Sequence, residues 1–336
     1  MAALAAAALF GASTPLAKLL LGPVSPWLLA GLLYLGSGIG LAIVRAISRT
    51  PRAHLQPGEA KWLAGAIVAG GIAGPVLLMW GLARLPASNA SLLLNAEGVI
   101  TALLAWFVFR ENFDRRIAIG MALIVAGAVV LSWPHHLERG SGIASASILL
   151  ACLCWAIDNN LTRKVALADA SFIAMTKGLT AGIVNTAIAF ALGSHPPSIP
   201  VASFAMAIGF AGYGLSLVLF VVALRDLGTA RTGAYFSTAP FIGAAIAIPL
   251  LSEPMTMTLA AGGALMAIGV WLHLTERHEH RHTHEPIEHE HEHVHDEHHR
   301  HAHDHPVEGA HVHRHRHEPL THTHPHFPDA HHRHPH

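Results

Sequence analysis

The chain has 336 residues, zero net charge with histidine neutral, 52% hydrophobic residues and only 12% charged ones. Of its 29 histidines, 24 follow residue 277, so what precedes them is more apolar than a soluble domain of that length needs. The balanced charge speaks against nucleic-acid binding, and two cysteines cannot build a disulfide framework.

A membrane-crossing helix takes about 20 predominantly apolar residues. Residues 1–275 divide into ten such runs. In chain order they are Met1–Leu21, Trp27–Ile47, Trp62–Leu82, Ser88–Phe109 and Ile117–Trp133, then Ile143–Leu161, Phe172–Leu192, Phe204–Leu224, Gly233–Leu251 and Leu259–Leu274. The first run has no basic stretch before it and no small-residue cleavage pattern after it, so it reads as a retained helix. Pro15 is expected to kink it. In the third run, Gly70, Gly71 and Gly74 allow a neighbouring helix to approach closely.

The stretch Leu82–Gly127 recurs, shifted by 142 residues, as Leu224–Gly269, with eleven of 46 positions identical and no gap. Both copies have an apolar run, a Glu at the break (Glu111, Glu253), then a second apolar run with Gly seven apart (Gly120 and Gly127, Gly262 and Gly269). The chain therefore reads as two related halves, 1–134 and 141–275, followed by a tail at 277–336. Basic residues set the orientation. Joints after the even-numbered runs hold eleven Lys and Arg, among them Arg45, Lys61, Arg116, Lys164 and Arg231, whereas the other joints hold only Arg84 and Arg139. Basic loops stay cytoplasmic, which places both termini in the cytoplasm. With five spans per half, the second half enters the membrane from the opposite side: an inverted repeat, the architecture of many secondary transporters.

The segments NAEGVITALLAWFVFREN (Asn95–Asn112) and STAPFIGAAIAIPLLSEP (Ser237–Pro254), set in ten spans, resemble the EamA domains of the drug/metabolite transporter superfamily. The resemblance covers most of residues 1–275. It implies an all-α integral membrane fold in the inner membrane and a permease, often an exporter of amino acids, metabolites or drugs. The family's mid-helix Pro is kept as Pro240, but its place in the first copy is taken by Gly98.

Ionisable groups deep in a span cost about 2.5–3.5 kcal/mol each on insertion scales, so those present need a reason. Glu97 falls near the middle of the fourth run and Lys177 near the middle of the seventh, while Asp158 lies toward the cytoplasmic end of the sixth. Asn95, Asn159 and Asn160 extend this polar set, and Asn185 adds an amide. One reading is a polar lining for a transport pathway; the other is ion pairs and hydrogen bonds that lock the bundle. For Asp158 a solvated place at the mouth also competes. Glu111 and Glu253 close their runs beside turns and read as structural. Trp80, Tyr213 and Tyr235 are candidates for a cavity wall or for membrane-interface positions. Cys152 and Cys154, two apart, point about 200° away from each other on a helix and cannot share a metal.

The tail alternates H-x-H, with almost no apolar residues, and is expected to be disordered. Imidazole suits Zn, Ni, Co and Cu, and His289, His291, His293, His295, His311, His313, His315 and His317 are representative ligands. The H-E-x-x-H matches at 278–282 and 289–293 follow from the His/Glu composition and do not signal a protease. No G-x-S-x-G or P-loop occurs, so an enzyme is not expected and no cofactor is required. Two functions compete: a permease for a small molecule or ion, moving or regulated by a divalent metal, and a membrane-anchored metal-binding protein whose helices are a scaffold. The expected partners are the bilayer and the solute.

Overall fold

A computed structural model describes residues 1–49, 58–109, 115–132, 141–165 and 169–275, together with four short tail segments. Residues Met1–Glu276 form one unit and Arg277–His336 another.

The described part of the first unit is helical. Its α-helices are α1 (Ala2–Leu20), α2 (Pro26–Ile47), α3 (Glu59–Ala66), α4 (Gly74–Leu82), α5 (Ala87–Leu93), α6 (Ala96–Phe109) and α7 (Arg115–Ser132). There follow α8 (Ser141–Thr162), α9 (Ala170–Ala191), α10 (Ile199–Gly209), α11 (Ser216–Phe236), α12 (Ala239–Leu251) and α13 (Met257–Leu274). Six helical stretches among the described residues are long and apolar enough to cross a membrane, and shorter apolar helices accompany them. Large apolar side chains stay exposed along these helices, Val129 by 50% and Ile183 by 60%. A surface of that kind suits lipid.

The helices start and stop where local chemistry dictates. Pro26 opens α2 behind Ser25, whose hydroxyl accepts the Leu28 N–H at 3.3 Å. Asp169 opens α9 by accepting the Phe172 N–H at 2.8 Å. The Asp169 carboxylate also takes the Arg45 guanidinium at 2.7 Å, which ties the end of α2 to the start of α9. Burial works against the charged carboxylate, yet Arg45, Ser171 and the Phe172 N–H together hold its pKa below the usual range.

Several features recur within one residue of the 142-residue interval. The π segment Ile67–Ala73 joins α3 to α4, and the π segment Phe210–Leu215 joins α10 to α11. The helix breaks at Leu94–Asn95, between α5 and α6, and at Ser237–Thr238, between α11 and α12. Pro240 stands in the first turn of α12, where its missing N–H costs nothing. The seven-residue glycine spacing also has its use. A Cβ on Gly127 would meet the Gly262 carbonyl, and one on Gly269 would meet the Gly120 carbonyl, so α7 and α13 pack backbone against backbone through equivalent glycines.

Two expectations need correction. A joint was expected around Arg225–Arg231, but α11 runs through it as helix. The equivalent place in the first half is broken at Pro86, which cannot donate to a helical bond; the second half has Gly228 there and keeps its amide. The tail was expected to lack structure, and its described residues are strands β1 (Glu279–His284), β2 (Glu288–His293), β3 (His311–Arg316) and β4 (Leu320–Pro325). β1 pairs antiparallel with β4, and β2 with β3. The H-x-H alternation has the strand's period of two, and backbone pairing requires no apolar core.

Candidate functional site

Three side chains converge on the first π segment. A π turn leaves carbonyls without their usual helical partner. The Tyr34 hydroxyl donates to the Gly70 carbonyl at 2.8 Å, the Trp155 indole N–H to the same carbonyl at 2.9 Å, and Asn185 Nδ2 to the Gly71 carbonyl at 3.0 Å. Gly70 has a second role. A Cβ there would overlap the Asp158 carboxylate, so only glycine lets α8 bring Asp158 against this segment.

Asp158 is 5% exposed and Lys177 3%. Lys177 Nζ donates to both carboxylate oxygens, at 2.5 and 2.7 Å, and lies 3.2 Å from Thr162 Oγ1. Thr162, one turn beyond Asp158, donates its hydroxyl to Asp158 Oδ1 at 2.8 Å. The pair is thus desolvated and fully bonded, so a solvated mouth position for Asp158 does not hold. Glu97, in the first turn of α6, accepts from Asn159 Nδ2 at 2.8 Å. Lys177 pairs with Asp158 and not with Glu97.

Glu97, Asp158, Asn159 and Lys177 share one cavity of about 650 Å³, its open side included. Asn95 and Asn160 are not in its wall. Asn95 Nδ2 donates to the Leu92 carbonyl at 3.1 Å and approaches Met266 Sδ, so it serves the α5–α6 break. Asn160 bonds back to the Ala156 carbonyl of its own helix. Sequence reasoning found Tyr213 and missed the rest of the aromatic wall: Phe10, Tyr34, Trp155, Phe220 and Phe236. One signal was available, since Trp155, Asp158 and Asn159 have the i, i+3, i+4 spacing of one helix face. Trp80 instead stacks under the Arg84 guanidinium at 3.8 Å, and Tyr235 is 39% exposed.

The end of the bundle away from the Arg45–Asp169 pair is closed by bonds between its turns. Lys18 Nζ, near the end of α1, donates to the Leu82 and Leu85 carbonyls at 2.5 and 2.8 Å. Glu253 accepts the Ala87 and Ser88 N–H groups at 2.6 and 2.9 Å, which caps α5. The left-handed Ser252 ends α12 and turns the chain so that Glu253 can do so. Ser25 and Ser194 bond to each other at 2.7 Å at the same end. Glu111, the counterpart of Glu253, lies outside the described residues.

Among the described residues, no three His, Cys, Asp or Glu side chains gather as a metal centre. Cys152 and Cys154 are free thiols, and Cys152 faces the Leu93 carbonyl at 3.8 Å. In the tail, β2 and β3 place His289, His291 and His293 opposite His315, His313 and His311. His295 and His317 lie outside the described residues.

An "Uncharacterized transporter" of Methanothermobacter thermautotrophicus is 27% identical over 281 residues, covering 78% of this chain and 82% of its own. A "Probable amino-acid metabolite efflux pump" of Salmonella typhimurium is 25% identical over 210 residues, covering 56% and 68%. A "Probable 4-amino-4-deoxy-L-arabinose-phosphoundecaprenol flippase subunit ArnE" of Pseudomonas fluorescens is 35% identical over 107 residues, 31% of this chain and 91% of that one. A solved crystal structure, 18% identical, superposes with a TM-score of 0.64 over 82% of this chain and 98% of its own, which shows a shared fold. The profile of the EamA-like transporter family matches residues 1–133 and 142–275, so the chain belongs to that family and is a membrane transporter, not an enzyme.

Proposed function

We propose that this transporter is a secondary permease of the inner membrane that exports a small solute by alternating access. Its ten spans are two inverted five-helix repeats, 1–134 and 141–275, with both termini cytoplasmic. One observation carries the reading: a largely apolar cavity with charged residues in its wall, toward one end of the bundle, with the opposite end bonded shut. Asp158, Asn159 and Lys177 lie in the parts of α8 and α9 nearest the basic joint at 163–164. The positive-inside rule makes that end cytoplasmic. The conformation is therefore inward-facing, with the Lys18 and Glu253 clamps closing the outer side. The paired π segments and paired helix breaks support the repeat, since such interruptions surround the midplane sites of inverted-repeat transporters. Glu97, with Asn159, contacts the solute, and the Asp158–Lys177 pair forms the polar floor. The test is transport by purified protein in liposomes, against divalent metals and a panel of amino acids, amines and metabolites. Glu97→Gln and Lys177→Met should abolish or severely slow transport while leaving insertion intact. Full transport in both variants would refute the assignment.

The tail supports a second, additive role as a collector of divalent metal. The β2–β3 register sets six histidines at alternate positions of two paired strands, hence on one face of the ladder. Neutral imidazoles so spaced offer adjacent ligands to Zn, Ni, Co or Cu. A metal buffer and a metal regulator of the permease share this chemistry. Transport measured with and without residues 277–336, across metal concentrations, separates them.

A further inference from the structure

The cavity wall has a composition that selects for charge. Six of its sixteen residues are aromatic (Phe10, Tyr34, Trp155, Tyr213, Phe220 and Phe236), against 7% aromatic residues in the chain. They form a connected cluster. Phe10 stands at its centre, with ring centroids 6.1 Å from Trp155, 5.8 Å from Tyr213 and 5.4 Å from Phe236. Tyr34 meets Tyr213 at 5.4 Å, and Phe220 meets Phe236 at 4.8 Å. Two of these residues have polar tips that are already used, because the Tyr34 hydroxyl and the Trp155 N–H both bond the Gly70 carbonyl. What they offer the cavity is ring surface.

The ionisable groups in the wall are two carboxyls and one ammonium: Glu97, Asp158 and Lys177. Lys177 is committed to Asp158 by two bonds, and Thr162 adds a third to the carboxylate, at the Oδ1 that Lys177 also bonds. Glu97 has a single hydrogen-bond donor, Asn159, and no ion-pair partner among the described residues. A ligand anion would have to win Lys177 from Asp158 and leave that carboxylate buried and alone. A ligand cation needs no such rearrangement, because it meets Glu97 directly. The aromatic rings of the same wall attract the same charge through their faces.

Resting on the permease reading above, we propose that the cavity binds an organic monocation, an ammonium group on an apolar or aromatic body. The ammonium meets Glu97 and the body lies against the ring cluster. Anionic solutes are excluded by the pair that neutralises Lys177.

The test uses full-length protein in detergent and three probes of one shape: phenylethylammonium, 3-phenylpropionate and zwitterionic phenylalanine. Binding is read by calorimetry and by the fluorescence of Trp155 against a Trp155→Phe control. The cation is expected to bind at least tenfold more tightly than either of the others. Glu97→Gln should lose at least tenfold for the cation and leave the weak binding of 3-phenylpropionate unchanged. Phe236→Leu, which leaves every charge in place, should weaken the cation severalfold, and it serves if Glu97→Gln fails to fold. Equal binding of the cation and 3-phenylpropionate would overturn the proposal, and so would cation binding indifferent to Glu97→Gln. Binding of phenylalanine as tight as the cation would also overturn it, by showing that the Asp158–Lys177 pair opens to a carboxylate. Each of these results leaves the permease reading standing, whereas failure of every solute to cross liposomes would remove that reading itself.

Discussion

Breaking the Asp158–Lys177 pair should cost more than breaking any other polar contact described for this chain. Both partners are nearly inaccessible, at 5% and 3%, and the ammonium reaches both carboxylate oxygens within 2.7 Å. Removing one partner leaves the other buried without its counter-charge, which costs about 3–5 kcal/mol. Asp158→Asn strands the ammonium, and Lys177→Met strands the carboxylate with only the Thr162 hydroxyl. Removing both strands neither. The double variant should therefore be no less stable than either single variant, which puts the coupling in the double-mutant cycle at about 3 kcal/mol or more. The assay is unfolding of the reconstituted protein by denaturing detergent, followed by tryptophan fluorescence, for the parent, both single variants and the double. Single losses below about 1 kcal/mol, adding without coupling, would refute the reasoning, because water would then be reaching the pair.

The Lys18 and Glu253 clamps, at the end that the proposal places outside, give a second prediction. Glu253→Ala should lose about 1–2 kcal/mol, the worth of a charge-assisted helix cap, and should expose a cysteine placed at Ser25 to external thiol reagents. An unchanged labelling rate would count against a gating role. Asp169 gives a pH prediction. Its folded-state pKa is depressed, so its contribution is present above the unfolded carboxylate pKa and is lost as pH falls through the folded value. Asp169→Asn should destabilise the protein near neutral pH and make little difference in strong acid; equal loss at both would show that charge is not what the contact supplies. Deleting residues 277–336 should leave insertion intact and remove most divalent-metal binding in equilibrium dialysis; unchanged binding would place the metal elsewhere.

The sequence carried the helical class, the family and the repeat, because apolar length and glycine spacing are local signals. Gly120, Gly127, Gly262 and Gly269 could be matched as a pattern, and they prove to be the places where α7 and α13 touch. The partner of Lys177 was harder. Lys177 lies seven residues into α9, and Asp158 lies four residues before the end of α8, with only the short stretch 163–169 between the two helices. That count could have favoured Asp158 over Glu97. The aromatic wall had no such signal, because Phe10, Tyr34 and Phe220 come from three separate helices and each reads alone as ordinary core. The tail's pairing was hidden for another reason: composition reports the lack of an apolar core, while strand pairing answers to the two-residue alternation.

The repeat also shows where the two halves have parted company. Shifted by 142 residues, Glu97 falls on Ala239, Asp158 on Leu16 and Lys177 on Leu35. The aromatic Phe10 falls on Cys152, and Trp155 on Ser13. The backbone devices are shared: both π segments, both helix breaks and the glycine contacts of α7 with α13. The charged groups of the cavity are not shared, and each sits in one copy only. On the alternating-access proposal, a device present in both halves suits a motion that runs in two directions related by the pseudo-two-fold axis of an inverted repeat. A charge present in one half cannot serve that symmetry and instead suits the solute, which meets the protein at one place. Ala239 is fully buried and stands outside the cavity wall, so a carboxylate placed there could not replace Glu97. Removing the charge from the one copy that has it therefore separates the roles. Glu97→Ala should keep the fold and lose the binding of cationic solutes, while the shared backbone devices stay in place. Retained binding of cationic solutes in that variant would mean that the charge does not act through Glu97.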